Sequence, residues 1–109
     1  MSRVVALTDD SFEAAVGRSE VALLDFWSES CKPCKALAPV VEALAEDFAE
    51  ERRVLIGKVN VEESPAAAER FRIRGLPAVL ILKNGEIVKK FLGVQPKETL
   101  RGALLELLA

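Results

Sequence analysis

A chain of 109 residues with a formal net charge of −2 has the length of one domain, so we expect residues 1–109 to form a single domain. Hydrophobic residues make up 50% of the chain, which is enough for a buried core and argues against intrinsic disorder. There is no basic stripe, which argues against a nucleic-acid partner. The apolar runs are too short to span a membrane.

The chain contains no histidine and no tyrosine, which removes several mechanisms. No Ser–His or Cys–His nucleophile pair can form, and no imidazole can act as a general base. A zinc site needs about four ligands, and the two cysteines would require a second subunit to complete one. We therefore predict no metal site, and any proton transfer must use Asp, Glu, Lys, Cys or water.

The first third of the chain predicts two strands separated by a helix. Arg3–Leu7 is a short first strand, and a helix is expected through about Val16 with its end near Gly17. Three residues that could cap this helix precede it: Thr8, Asp9 and Asp10. Val21–Trp27 is a nearly continuous apolar run, typical of a strand buried on both faces of a mostly parallel sheet.

A long helix should follow, because its apolar residues recur at helical spacing. These residues are Leu37, Val40, Val41, Leu44, Ala45 and Phe48. Pro39 lies inside the helix and is expected to kink it. The charged run Glu50–Arg53 is predicted to end the helix, and Val54–Val61 reads as the third strand.

The second half predicts a short helix, a hairpin and a final helix. Ser64-Pro65 opens the short helix, which runs through Phe71. Ala78–Leu82 and Glu86–Leu92 are strands joined at Asn84-Gly85, a strong hairpin signal. Pro96 opens the last helix, whose apolar face comprises Leu100, Ala103, Leu104 and Leu107. The order βαβαβαββα predicts an α/β fold, a mixed sheet of about five strands with helices on both faces.

Both cysteines of the chain, Cys31 and Cys34, are two residues apart at the start of the long helix. The helix N-terminus, together with Lys32 and Lys35, should lower the pKa of Cys31 and favour its thiolate. A thiolate can attack a disulfide sulfur, and Cys34 can then resolve the mixed disulfide. The alternatives are a structural disulfide, which would restrain the unfolded chain little over so short a loop, and a metal site shared between subunits.

Three segments resemble the thioredoxin family. Asp25–Pro39, with the sequence DFWSESCKPCKALAP, resembles the active-site segment of that family. Arg74–Glu86 resembles its cis-proline loop and the hairpin that follows, and Gly93 fits a third position. Because the matches occur in order across essentially the whole chain, the resemblance implies a thioredoxin fold.

Asp25 and Lys58 are charged residues in strands that should be buried. Burial alone should raise the pKa of a carboxyl group. The resemblance implies that Asp25 lies beneath the cysteine pair, accepts the proton of Cys34 through water, and is paired with Lys58. The alternative is a buried ion pair that sets strand register.

The resemblance also implies a groove for the substrate chain. Pro77 would be the cis-proline that faces the disulfide, with Trp27 and the loop at Gly93-Val94 completing the groove. The expected substrate-binding residues are Trp27, Lys32, Pro33, Leu76, Pro77, Gly93 and Val94.

Two residues depart from the family pattern. Lys32 stands where most thioredoxins have glycine, and Ser30 replaces the usual tryptophan before the first cysteine. Lys32 should stabilise the thiolate and hence the reduced form, which would make the protein more oxidising. Loss of the exposed tryptophan removes an apolar contact for partners.

The implied activity is general reduction of protein disulfides, with catalysis by Cys31, Cys34, Asp25 and Lys58. The expected partners are disulfide-containing protein substrates and a separate thioredoxin reductase; no bound cofactor is expected. We expect a monomer in the cytoplasm, where thiols stay reduced. The alternatives are an oxidase or isomerase on the same fold and a non-catalytic, thioredoxin-like binding subunit or chaperone.

Overall fold

We describe a computed structural model of the chain over residues 2–109. The predicted element order is confirmed. The strands are β1 (Val5–Leu7), β2 (Val21–Trp27), β3 (Val54–Asn60), β4 (Ala78–Lys83) and β5 (Glu86–Leu92). The helices are α1 (Phe12–Gly17), α2 (Lys32–Asp47), α3 (Pro65–Arg70) and α4 (Lys97–Leu108).

The five strands form one mixed sheet in the order β1-β3-β2-β4-β5. β3 pairs in parallel with β1 and β2, whereas β4 is antiparallel to both β2 and β5. β2 is therefore the central strand, and its neighbours exclude water from both edges. This position explains the apolar run Val21–Trp27, of which the first six residues are buried.

Alternate residues of β2 point to two separate cores. Val21 and Leu23 pack on one face of the sheet with residues of α2 and α4, among them Leu37 and Leu104. Ala22, Leu24 and Phe26 pack on the other face with residues of α1 and α3. Asp25 has the same parity as Leu23, so the strand directs its side chain to the face covered by α2.

Helix α2 begins at the cysteine pair and runs through Pro39 to Asp47, where Phe48 is the C-cap. The helix thus ends before the charged run Glu50–Arg53, which was expected to end it. Glu51 and Arg53 instead form a local turn, in which the Glu51 carboxylate accepts bonds from the Arg53 backbone N–H and guanidinium. The third strand also stops early, because Asn60 Oδ1 accepts the backbone N–H groups of Glu62 and Glu63 and turns the chain.

The first helix is not capped by the predicted side chains. Its N-cap is Ser11, whose Oγ accepts the Thr8 backbone N–H over 3.0 Å and makes no capping bond to the helix itself. Asp9 caps a different helix: its two carboxylate oxygens accept the backbone N–H groups of Ala66 and Ala67 in α3, at 3.2 and 2.9 Å. Asp9 therefore joins the α1 loop to the start of α3.

The hairpin between β4 and β5 turns at the predicted dipeptide. Asn84 has a φ of 51° and Gly85 a φ of 85°, the pair of positive values that a type I′ turn requires. Within residues 2–109, no helix is long and apolar enough to cross a membrane.

Candidate active site

The two cysteines lie at the N-terminus of α2 and are joined by a disulfide, with Cα atoms 5.3 Å apart. Cys31 is the N-cap residue, and its Sγ accepts the backbone N–H of Cys34 over 3.2 Å. A sulfur in this position faces the partial positive charge of the helix start, which stabilises a thiolate. Cys31 is partly exposed, whereas Cys34 is 3% exposed. Cys31 is thus the more accessible of the two cysteines.

Asp25 is buried in the central strand, with 4% of its surface exposed. Burial raises the pKa of its carboxyl group from 3.8 to about 6, and the positive charge of Lys58 acts in the opposite direction. Asp25 Oδ1 has no hydrogen-bond partner among residues 2–109. A carboxylate with this pKa is ionised at neutral pH and still takes up a proton more readily than an exposed aspartate.

Lys58 lies opposite Asp25 in the register of β2 and β3. The two charged groups make no direct ion pair in the described part of the chain. The Lys58 ammonium instead lies 5.8 Å from the centre of the Trp27 ring, a cation–π distance. The lysine therefore acts on the carboxylate through space and not through a salt bridge.

A cavity of about 140 Å³ connects these groups. Its lining combines four residues predicted from sequence with three others: Asp25, Trp27, Cys34 and Lys58, and then Glu29, Lys35 and Ala38. The buried Trp27 Nε1, like Asp25 Oδ1, finds no hydrogen-bond partner in residues 2–109. A cavity of this size has room for water beside the unpaired Asp25 Oδ1.

Sequence reasoning did not assign three of the lining residues to this cavity. Ala38 follows Cys34 by four residues on α2, a spacing that places both on one helix face, so this signal was available. For Lys35 the sequence indicates only a positive charge near the cysteines. Glu29 lies in the loop before the cysteines, and no pattern in the sequence marks it.

A second group of predicted residues lies in two loops held together by one hydrogen bond. The Leu76–Pro77 peptide is cis, as the resemblance implied. The Gly93 backbone N–H donates to the Pro77 carbonyl over 2.9 Å, and Gly93 has a φ of 87°, which favours glycine. Val94 follows and is 46% exposed. Lys32 and Pro33 are exposed in the first turn of α2.

No group of three or more potential metal ligands among Cys, Asp and Glu occurs within residues 2–109. The sequence model of the thioredoxin family matches residues 3–106. The chain belongs to the thioredoxin family. Members of this family are disulfide oxidoreductases, and the Cys31–Cys34 pair has the spacing of their redox-active dithiol.

Individual thioredoxins are similar to this chain in sequence over nearly their whole length. Thioredoxin from Alicyclobacillus acidocaldarius is 38% identical over 104 residues, which cover 95% of this chain and 97% of the relative. Thioredoxin from Staphylococcus haemolyticus is 41% identical over 101 residues, covering 93% and 94% of the two chains. The crystal structure of Malassezia sympodialis thioredoxin superposes with a TM-score of 0.86 at 30% identity, covering 100% of this chain and 94% of that one. The predicted thioredoxin fold is thus confirmed.

Proposed function

We propose that this thioredoxin is a general protein-disulfide reductase that a thioredoxin reductase returns to the dithiol form. The observation that supports this best is the asymmetry of the two sulfurs. Cys31 is partly exposed at the helix N-terminus, whereas Cys34 is buried and lines the same cavity as Asp25. One thiol is placed to attack a partner, and the other is placed to be deprotonated.

In the first step, the Cys31 thiolate attacks one sulfur of the substrate disulfide. A Cys31–substrate disulfide forms, and the other substrate sulfur leaves as a thiolate that takes a proton from solvent. The hydrogen bond from the Cys34 N–H to Cys31 Sγ favours the thiolate before the attack. Lys32, exposed in the adjacent first turn, adds positive charge.

In the second step, Asp25 accepts the proton of the Cys34 thiol through the shared cavity. The Cys34 thiolate then attacks Cys31 Sγ, so the Cys31–Cys34 disulfide forms and the bond to the substrate breaks. The second substrate sulfur leaves as a thiolate that takes a proton from solvent, and Asp25 returns its proton to solvent. Two electrons thus pass from the Cys31–Cys34 dithiol to the substrate, which becomes a dithiol. Lys58 tunes this step, because its charge opposes the upward shift that burial gives the pKa of Asp25.

The substrate chain binds across the loops at Leu76-Pro77 and Gly93-Val94. Trp27 and the Lys32-Pro33 pair between the two cysteines complete the groove. The hydrogen bond between Gly93 and Pro77 keeps the two loops at a constant spacing. Backbone groups bind the partner there, which suits a reductase with many substrates.

We further propose that residues 1–109 act as one domain and as a monomer in the cytoplasm. Both cysteines of the chain belong to the redox pair. A reducing compartment therefore breaks no disulfide on which the fold depends. In a reducing compartment, such a protein can be reduced to the dithiol form after each turnover.

Reduction of insulin tests the proposal directly. With dithiothreitol as electron source, the wild-type protein should accelerate insulin reduction strongly, and Cys31→Ser should match the rate without protein. With NADPH and a thioredoxin reductase, turnover should also follow. A wild-type rate equal to the dithiothreitol background would contradict the proposal and favour a binding subunit. A redox potential well above that of cytosolic glutathione would favour an oxidase or isomerase.

A further inference from the structure

A second concave surface lies beside the proposed substrate-binding loops. This cationic groove has a volume of about 250 Å³ and runs between the segment after α3 and strand β5. The lining residues on which the argument depends are Arg72, Arg74, Gly75, Leu80, Lys90 and Leu92. The groove shares no lining residue with the cavity beneath the dithiol.

The floor of the groove is apolar and includes one exposed leucine of the edge strand. Strand β5 is an edge strand, and its residues Lys90 and Leu92 pair with Leu80 and Ala78 of β4. Leu80 and Ala78 belong to the core on the α1 and α3 side of the sheet. Leu92 lies on the same side and is nevertheless 71% exposed. Leu92 therefore offers exposed apolar surface at the edge of the groove.

The rim of the groove is positively charged. Arg72, Arg74 and Lys90 make no ion pair and no side-chain hydrogen bond with any residue in 2–109, and the lining contains no carboxylate. Neighbouring cations do have partners: Arg70 pairs with Glu13, and Lys83 pairs with Glu20. Three free positive charges around one groove are therefore a local excess on a chain whose net charge is −2.

The groove is continuous with the loops proposed to bind substrate. Gly75 directly precedes Leu76-Pro77, and Leu92 directly precedes Gly93. Leu92 lies against Gly75, since its Cδ1 would be 3.4 Å from a Cβ placed on that glycine. A polypeptide that crosses the cis-proline loop toward β5 therefore enters the cationic groove.

We propose that the cationic groove binds an acidic segment of the protein whose disulfide is being reduced. An apolar side chain of that segment packs on Leu92, and its carboxylates pair with Arg72, Arg74 and Lys90. Guanidinium groups suit this role because they can hold a carboxylate by two parallel hydrogen bonds. The charges also attract acidic partners and speed their association at low salt. This inference depends on the proposed reductase function and names the class of substrate that the same site prefers.

Two synthetic peptides with the same internal disulfide test the inference. They differ only in a flanking segment, which contains glutamates and a leucine in one peptide and glutamines and the same leucine in the other. The reduced protein is mixed with each oxidised peptide, samples are quenched in acid, and the second-order rate constant is obtained by chromatography. Neutral hydroxyethyl disulfide serves as a substrate that does not reach the groove.

Two double variants of equal charge separate the groove from net charge. Arg72→Gln with Lys90→Gln removes two charges from the rim. Arg18→Gln with Arg52→Gln removes two unpaired charges beside the starts of β2 and β3, at the end of the sheet opposite the dithiol. Thermal unfolding checks that both variants are folded.

The wild-type protein should reduce the acidic peptide about three- to tenfold faster at low ionic strength, and this preference should vanish in high salt. The rim variant should lose the preference, the control variant should keep it, and hydroxyethyl disulfide should react equally with all three proteins. Equal rates for the two peptides with wild-type protein, or a preference that survives in the rim variant, would overturn the inference alone. The inference would also be overturned if a single-stranded oligonucleotide inhibited the reduction of both peptides and the protein showed no preference between the two peptides. Failure to reduce any of the disulfides would overturn the proposed function itself.

Discussion

Asp25 and Lys58 are directly opposite each other on neighbouring strands, yet their charged groups do not meet. The Lys58 ammonium lies over the Trp27 ring, and the carboxylate lies beside the cavity beneath Cys34. Burial therefore dominates the pKa of Asp25 and raises it to about 6. A direct salt bridge would have lowered it and made the carboxylate a poor proton acceptor.

We predict that Asp25→Asn stabilises the oxidised protein at neutral pH. A folded pKa above the unfolded value means that Asp25 favours folding below pH 3.8 and that this stability is lost as pH rises through about 6. A shift from 3.8 to about 6 corresponds to about 3 kcal/mol, the upper limit of the gain at pH 7. Urea unfolding of both proteins between pH 4 and pH 8, with pH values spaced by about one unit, measures the difference.

The control for this prediction is Lys58, which loses its opposite charge in Asp25→Asn. The double variant Asp25→Asn with Lys58→Met removes both charges and should be at least as stable as the single variant. If both variants are less stable than wild type at pH 7 and reduce insulin normally, Asp25 has a structural role and does not relay protons.

The same pKa predicts how the resolving step depends on pH. The rate at which Cys34 displaces the substrate should rise with pH through about 6, as Asp25 becomes ionised and able to accept a proton. In Asp25→Asn this inflection should disappear and the rate at pH 7 should fall, by about a hundredfold if general-base catalysis is fully lost. Rapid-quench measurement of a preformed mixed disulfide gives this rate. An inflection that persists in the variant would assign it to another group.

Lys32 should make the protein more oxidising through its charge. We expect Lys32→Gln and Lys32→Gly to lower the redox potential by about 10 to 20 mV, because an exposed charge near a thiolate is worth less than about 1 kcal/mol. Equilibration with glutathione gives the potential. Lys32→Gln separates charge from helix propensity, so a change seen only with glycine would contradict the electrostatic explanation.

Asp9 should stabilise the fold from a distance of 57 residues along the chain. Asp9→Ala removes both acceptors of the Ala66 and Ala67 N–H groups and should lower the free energy of unfolding by about 1 to 2 kcal/mol. Asp10→Ala changes an exposed neighbour and should have an effect within about 0.5 kcal/mol. Equal effects of the two substitutions in urea unfolding would show that the cap contributes nothing.

Local patterns predicted most of the fold. The apolar run Val21–Trp27, the hairpin dipeptide Asn84-Gly85 and the apolar face of α2 each specify their element through neighbouring residues alone. The cap on α3 could not be predicted in this way. Asp9 binds Ala66 and Ala67 only because the sheet brings distant segments together, and Asp9 equally fits a cap of the helix that follows it in sequence.

In the candidate site, too, features carried by contiguous residues could be predicted, whereas features that depend on packing could not. The C-x-x-C spacing and the segment around Pro77 are contiguous in sequence, so the dithiol and the cis-proline loop could be recognised. The position of the Lys58 ammonium over Trp27 depends on side-chain packing between β2 and β3. The cationic groove depends on β5 being an edge strand beside the segment after α3, which the order of elements alone does not specify.

Trapping of the mixed disulfide tests most directly the assignment of Cys31 as nucleophile and Cys34 as resolving thiol. Reduced Cys34→Ser, mixed with an oxidised protein substrate, should accumulate a covalent adduct on non-reducing gels, because no internal thiol remains to release the substrate. Under the same conditions, reduced Cys31→Ser should give little adduct, because Cys34 is 3% exposed. Adducts formed by Cys31→Ser and not by Cys34→Ser would contradict the account and reverse the two roles.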